Sequence, residues 1–246
     1  MAGQRAGRTA GRASRPSITL DAVTAAALRT LQRDGLEALS MRRLADELSI
    51  QAPSLYWYVR NKEELLDLLA DALLADLRLD PLVREDGDWQ TELRDMMRAY
   101  RKYLLGKRDS GKVLAGRLQL GPHFLHHAEV ILGPLRRAGF SGQDTAYSLY
   151  VLTQYVQGFV LHETSPLSAD VARGTDRMEF LEEVRERLAK LPAEEYPNVV
   201  AVGDQLARPD IEARFDYGLD RLLDGLRARL DSAGGAAAAP GDSPAG

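Results

Sequence analysis

Apolar residues recur along this chain at the spacing of an α-helix. Between residues 19 and 34, Val23, Ala27 and Leu31 repeat every four positions. Thr19 is suited to cap the start of this helix, and Gly35 is suited to end it. Similar patterns predict further helices over residues 40–48, 53–59, 61–79, 89–105, 111–118, 122–138, 143–162, 176–191 and 210–230, with loops at 164–175 and 192–209. Strand signals are absent, so the pattern predicts an all-α fold.

The first three predicted helices have the arrangement of a helix-turn-helix. They are short, a turn of about three residues separates the second from the third, and the small Ala45 lies where two helices must cross. Leu55 and Val59 lie four positions apart on the inward face of the third helix. The outward side chains are then Ser54, Tyr56, Trp57 and Tyr58. Because hydroxyl and indole N–H groups can donate to phosphate oxygens, this surface predicts contact with nucleic acid. A helical hairpin that packs these rings into a partner domain is the open alternative.

Charge is distributed unevenly along the sequence. Residues 1–62 hold ten Lys or Arg against five Asp or Glu, a net +5, whereas the remaining residues hold 22 against 31, a net −9. An acidic body with a basic head is typical of a protein that meets nucleic acid at one end. Residues 1–16 are predicted to be a disordered basic leader and residues 231–246 a disordered tail. A basic leader without any partner remains an alternative.

Several classes of protein are disfavoured by what the sequence lacks. There is no cysteine, which excludes disulfides, thiolate metal sites and cysteine nucleophiles. No apolar run reaches the roughly 18 residues of a membrane helix, and the basic start precedes no apolar signal core, so a cytoplasmic protein is expected. His123, His126, His127 and Glu129 have spacings that could hold zinc, but the HExxH order is missing. No nucleophile elbow or phosphate-binding glycine loop is present, so no enzyme, metal or cofactor is expected.

The segment LADELSIQAPSLYWYVRNKEELL resembles the DNA-binding head of the tetracycline-repressor (TetR) family. That family's recognition helix ends in a Leu-Tyr-Trp/Tyr-x-Val/Phe segment and is followed by a Lys-Glu-rich helix start. The similarity is dense over residues 19–77, and looser matches continue at residues 89, 109–116, 139–140 and 158–161. It implies a helix-turn-helix DNA-binding domain over residues 17–63. A helical regulatory and dimerisation domain over residues 64–230 would follow.

The resemblance assigns DNA-binding roles residue by residue. Arg42 and residues 51–54 would read bases, and an Arg guanidinium suits guanine because it can donate to O6 and N7 together. Ala52 stands where the most similar subgroup has glutamine, which leaves Gln51 as an alternative reader. The residues that would contact phosphates are Ser40, Tyr56, Trp57, Tyr58 and Lys62. The expected DNA-binding residues are Ser40, Met41, Arg42, Gln51, Ala52, Pro53, Ser54, Tyr56, Trp57, Tyr58 and Lys62.

The resemblance also implies an effector pocket inside the regulatory domain. The expected ligand-binding residues are Arg78, Met96, Tyr100, Leu114, Arg117, Tyr150, Gln154, Phe159 and His162. Leu114 stands where the subgroup has a metal-binding histidine, so a magnesium–tetracycline complex is not expected. Methionine and aromatic residues predict instead a bulky, partly aromatic, antibiotic-like effector.

Two apolar faces on the predicted helix 143–162 favour a homodimer. One face can pack on its own core and the other on a second copy. The expected partners in a four-helix interface are Phe215, Leu219, Leu222, Leu223 and Leu226. Burial in a monomer is the alternative. The sequence therefore predicts a homodimeric regulator, most readily a repressor, that binds double-stranded operator DNA as an inverted repeat and leaves it when a small molecule binds. A ligand-sequestering protein with a degenerate head and a transcriptional activator are the alternatives.

Overall fold

The chain forms an all-helical fold, as predicted, in a computed structural model that describes residues 18–84, 87–117, 120–164, 177–208 and 210–237. The first three helices are α1 (Leu20–Asp34), α2 (Met41–Glu47) and α3 (Ala52–Leu55), which we call the head. The remaining helices, which we call the body, are α4 (Lys62–Ala72), α5 (Trp89–Leu105), α6 (Ser110–Leu114), α7 (Pro122–Arg137), α8 (Gly142–Glu163), α9 (Arg177–Ala189), α10 (Pro197–Ala201), α11 (Gly203–Leu206) and α12 (Ile211–Ala237).

Local capping chemistry sets the start of the head helices and of α4. The Thr19 side chain accepts a hydrogen bond from Ala22 N (3.1 Å). Ser40 caps α2 in the same way. Asn61 Oδ1 accepts from Glu64 N (2.9 Å) at the start of α4. The predicted cap at Thr19 is confirmed, and all three caps depend on residues only three positions apart.

The C-terminal end of α4 differs from the prediction. The regular helix ends at Ala72, whereas its apolar stripe predicted continuation to residue 79. Beyond Ala72 the backbone tightens, and Leu74 N and Leu77 N bond to carbonyls only three residues back. Two body side chains capture the carbonyls at this end: Tyr103 Oη donates to Leu73 O (2.7 Å), and His127 Nε2 lies 3.0 Å from Leu74 O.

Other boundaries also shift. Helix α3 is four residues long, with turns rather than helix over residues 56–58, and α6 ends at Leu114. Helices α10 and α11 occupy part of the segment predicted as a loop. Helix α12 continues to Ala237, past the predicted start of the tail at 231, where alanines favour the helix and Ser232 Oγ donates to Ala228 O. The predicted leader 1–16, almost all of the loop 164–175 and the last nine residues lie outside the described residues.

The core of the body is built around α5. Its buried face carries Leu93, Met96, Met97, Tyr100 and Leu104 and packs against α7, α8 and α12. This packing corrects the expectation for the dimer face. The side chains of α12 that are fully buried within the single chain are Phe215, Leu219 and Leu223. They belong to the core of one protomer, since the helix turns that stripe toward α5 and α8, and Leu222 and Leu226 are half-buried beside it.

Candidate DNA-binding surface and effector cavity

The recognition segment holds its aromatic rings away from the core. Leu55 and Val59 have no exposed surface, whereas Tyr56 is 50% and Trp57 is 88% exposed. Tyr58 is half-buried and packs against the core. The predicted inward and outward directions are therefore confirmed for Leu55, Val59, Tyr56 and Trp57. These large, solvent-exposed rings form a surface of the head that is suited to binding a partner.

The other predicted DNA-binding residues lie at the starts of three helices: α2, α3 and α4. Arg42 lies on α2, Lys62 begins α4, and both are exposed. Residues Gln51, Pro53 and Ser54 are exposed at the start of α3. Met41 and Ala52 are half-buried against the core, and Ser40 Oγ already accepts the cap hydrogen bond from Arg43 N (3.2 Å).

Ion pairs within the chain decide which positive charges of the head and of the start of α4 are available to bind a partner. Arg33 donates to Glu47 (2.9 Å), Arg43 donates to Asp34 (2.6 Å), and Arg29 lies 3.6 Å from Glu47. The hydrogen bond from Arg33, together with that from Thr30, holds the pKa of Glu47 below its usual range. These arginines fasten α1 to α2. By contrast, Arg42 and Lys62 form no ion pair within the part of the chain that the structure describes. A count of charges from sequence alone could not separate the ion-paired arginines from these two residues.

The residues expected to bind the effector do not meet in one place. Met96 and Leu114 are fully buried, and Phe159 packs edge to face on Phe215 with ring centroids 5.3 Å apart. Arg78 is exposed and donates to two carbonyls of its own segment. Exposed positions on α8 are occupied by Tyr150, Gln154 and His162. Of the nine expected residues, Tyr100 alone is among the described residues that line the interior cavity.

Arg117 joins the segment after α6 to the start of α4. It donates to Glu63 Oε2 (2.7 Å) and to Asp67 Oδ1 (2.8 Å). A cleft of about 650 Å³ lies next to it, between α1, α4 and the start of α7. Its described lining includes Leu20, Leu28, Leu68, Asp71, Leu120 and His123. Arg117 therefore lies at the junction between head and body in this structure.

The interior cavity lies between the end of α4 and helices α5, α7 and α8. Its described lining residues are Leu74, Leu77, Leu79, Tyr100, Phe124, His127, Ala128, Ile131, Leu149 and Thr153. Its volume is about 10 Å³, roughly the room that one water molecule needs. Sequence reasoning missed most of this lining. The apolar i, i+3, i+4 pattern of α7 around His127 could have indicated a cavity lining. His127 itself was considered only as part of a metal site.

The histidines of α7 have separate environments. His126 is exposed, and its Nε2 lies 3.1 Å from Asp80 Oδ1. His127 is buried, and burial lowers its pKa below the ordinary value. Among the described residues, no group of three or more His, Cys, Asp or Glu side chains is placed to hold a metal ion. In the same described part, no helix has both the length and the apolar character that a membrane span requires.

Comparison with known proteins identifies relatives for both parts of the chain. Residues 23–69 match the family model described as bacterial regulatory proteins, tetR family, and residues 81–230 match that of the tetracyclin repressor-like C-terminal domain. The class E tetracycline repressor protein of Escherichia coli is 34% identical over 216 residues, covering 87% of this chain and 93% of that protein. The transcriptional repressor DrrR1 of Streptomyces coeruleorubidus is 33% identical over 227 residues, covering 89% and 81%.

Solved structures give the same result at the level of the fold. The TetR family protein ActR of Streptomyces coelicolor, in complex with actinorhodin, superimposes with a TM-score of 0.76 at 32% identity. The match covers 87% of this chain and 97% of that chain. The similarity therefore includes the helix-turn-helix and the helical body together.

Proposed function

The chain belongs to the TetR family of ligand-responsive, DNA-binding transcription regulators, and we propose that it is a repressor that binds an inverted-repeat operator as a homodimer. A small, mostly apolar effector releases it from that operator. Its place of action is then the cytoplasm, where bacterial DNA lies.

The observation that carries this proposal is the exposed recognition segment. Trp57 and Tyr56 extend into solvent beside the buried Leu55, and Arg42 and Lys62, which form no ion pair among the described residues, precede and follow them in the sequence. In this proposal Arg42 and the start of α3 read base edges, while the aromatic residues and Lys62 contact phosphates. Two heads related by a twofold axis would read half-sites about 34 Å apart, one turn of the duplex.

Release by a small molecule requires a path from the body to the head. Helix α4 supplies one in this proposal, because its first turn adjoins the head and the segment after its last turn lines the interior cavity. An effector that shifts the protein from almost fully bound to almost fully free must favour the released state by about 5.5 kcal/mol. Support for a bound effector comes from the complex of ActR with actinorhodin, and support for a mostly apolar one comes from the cavity lining.

Footprinting of DNA from upstream of the gene tests the proposal. At about 150 mM salt and with excess competitor DNA, the protein should protect an inverted repeat, and a scrambled duplex of equal composition should stay unprotected. Transcription from the protected promoter in vitro should fall when the protein is added. Equal weak binding to both duplexes would instead indicate a sequestering protein with a degenerate head, and increased transcription would indicate an activator.

A further inference from the structure

A buried imidazole nitrogen beside the interior cavity has no hydrogen-bond partner among the described residues. His127 is 5% exposed and lines the cavity. Its Nε2 lies 3.0 Å from Leu74 O, whereas its Nδ1 is buried and makes no hydrogen bond. An unpaired buried polar atom destabilises the fold, so its presence beside a cavity indicates a place where a ligand atom completes the bonding.

The hydrogen-bonding role of this nitrogen follows from its neighbour. A carbonyl oxygen can only accept, so Nε2 must carry the proton that is donated to Leu74 O. Burial lowers the pKa of His127, which keeps the ring neutral near pH 7. The titratable groups that interact with it are His126, Asp80 and His123. The neutral ring therefore presents Nδ1 as a hydrogen-bond acceptor, and a ligand must offer a donor to it.

The second polar group of the cavity has the opposite requirement. Gln157 Nε2 donates to Tyr100 Oη (3.1 Å), which leaves the hydroxyl hydrogen of Tyr100 for an acceptor. Burial raises the pKa of Tyr100 to about 12, so the phenol stays protonated. Thr153 also lines the cavity, but its hydroxyl already donates to Leu149 O (2.8 Å). No Lys, Arg, Asp or Glu is among the described lining residues, so a charged ligand would be buried without a counter-ion there.

We propose that the effector is a neutral hydroxyaryl ketone whose hydroxyl donates to His127 Nδ1 and whose carbonyl accepts from Tyr100 Oη. This inference rests on the proposed function, because it specifies the effector of the same regulator. A phenolic hydroxyl is a neutral donor at pH 7, and aromatic rings match the apolar walls formed by Leu77, Phe124 and Ile131.

The same imidazole connects the cavity to α4. A cavity of about 10 Å³ must expand to admit such a molecule. Leu74, Leu77 and Leu79 lie on the irregular segment after α4. There, hydrogen bonds to carbonyls three residues back replace those of the regular helix. Since His127 Nε2 donates to Leu74 O, a ligand bonded to Nδ1 acts on the end of α4 through one ring. His127 is therefore a positioning residue for induction as well as a ligand contact.

Three matched probes test the proposed chemistry by isothermal titration calorimetry with the full chain. The first, 3-hydroxybenzophenone, offers both a donor and an acceptor. In 3-methoxybenzophenone the donor is methylated, and in 3-benzylphenol the carbonyl is absent. The first should bind at least about tenfold more tightly than either of the others, as expected for a lost hydrogen bond that leaves a buried group unpaired. Equal binding by the three probes, or no binding of the first up to its solubility limit, would overturn the proposal.

Variants then assign the preference to particular residues. His127→Leu should abolish the preference for the hydroxyl over the methoxy probe, and Tyr100→Phe should abolish the preference for the ketone over 3-benzylphenol. Leu74 O keeps its bond from Leu77 N in the histidine variant, so this carbonyl is not left unpaired. Tyr103→Phe is the control, since it removes a hydrogen bond to the neighbouring Leu73 O without lining the cavity, and it should keep both preferences. Retained preferences in His127→Leu would also contradict the inference.

The two proposals fail in different ways. If the protein protects an operator but its probe affinities do not depend on His127, the ligand assignment is wrong and the regulator stands. If no operator is protected while the probes bind with the expected order, the cavity chemistry is correct and the proposed function is wrong.

Discussion

Leu55 and Trp57 lie two residues apart and have opposite environments. Leu55 is fully buried and Trp57 is 88% exposed, so substitutions there separate folding from DNA binding. We expect Leu55→Ala to cost about 2 to 5 kcal/mol of stability. Trp57→Ala should change stability by no more than about 0.5 kcal/mol. It should still weaken binding to all duplexes by roughly tenfold. Urea unfolding and fluorescence anisotropy with labelled DNA measure the two effects, and a Trp57→Ala protein with unchanged DNA affinity would remove this ring from the interface.

Arg42 and Lys62 are both exposed and unpaired among the described residues, yet their expected contacts differ. Arg42→Ala should lower operator affinity by about 1 to 3 kcal/mol and relax the base preference at one position of each half-site. Lys62→Ala should weaken operator and random duplex alike and reduce the salt dependence by about one unit. Binding titrations against operators with single base changes measure both. Equal losses on operator and random DNA for Arg42→Ala would contradict its assignment to base reading.

His127 should make stability depend on pH. Burial lowers its pKa in the native state, so near and below pH 6.5, the approximate value in an unfolded chain, the unfolded state binds more protons. Stability should therefore fall as the pH falls through that region and be fully present above it. The free energy of unfolding from urea titrations between about pH 8 and 5 should fall more steeply for the natural chain than for His127→Leu. Asp80, His123 and His126 are present in both proteins, so parallel curves would show that His127 is not the cause.

The turn between α5 and α6 fastens the body to the head. Asp109 Oδ2 accepts from Leu36 N (2.9 Å), just after the end of α1. Arg108 Nη1 donates to Arg33 O (2.7 Å), within the last turn of α1. Removing a charged partner of a backbone N–H costs about 1 to 3 kcal/mol. Asp109→Ala should therefore raise amide hydrogen exchange in α1 and α2 and leave α8 unchanged. The control is Asp95→Ala, which breaks a surface ion pair with Arg84 inside the body. Unchanged exchange in α1 would show that the contact does not stabilise the head.

Local chemistry made much of the helical order predictable. The capping residues Thr19, Ser40 and Asn61 act over three positions, and the inward pair Leu55 and Val59 follows from helical periodicity. The end of α4 was not predictable, because it depends on side chains of α5 and α7 that are distant in sequence. The expected effector residues stay a prediction, and their failure to line one cavity has the same cause. Resemblance gives a position along a helix, but whether a residue such as Gln154 faces a cavity or solvent depends on how the body helices pack.

At the scale of the whole molecule, α8 has two apolar faces, and one has no packing partner among the residues that the structure describes. Leu152, Val156 and Val160 are buried against the protomer's own core. The exposed apolar side chains of α8 are Tyr147, Tyr150, Val151 and Leu161, and Tyr217 is exposed on α12. The sequence pattern indicated both faces. It could not show that the leucine stripe of α12 packs inward, because that stripe fits a monomer core and a dimer interface equally well.

A charge at Tyr150 tests whether this exposed face joins two copies. Tyr150 is 67% exposed in the single chain, so Tyr150→Glu should leave protomer stability almost unchanged while placing carboxylates in the proposed interface. Sedimentation velocity should then show one chain instead of two. Operator affinity should fall by about 10² to 10⁴, because the second head no longer binds at high effective concentration. Tyr196→Glu is the matched control, since Tyr196 is also exposed but precedes α10. If Tyr150→Glu stays dimeric, the two copies meet through another surface.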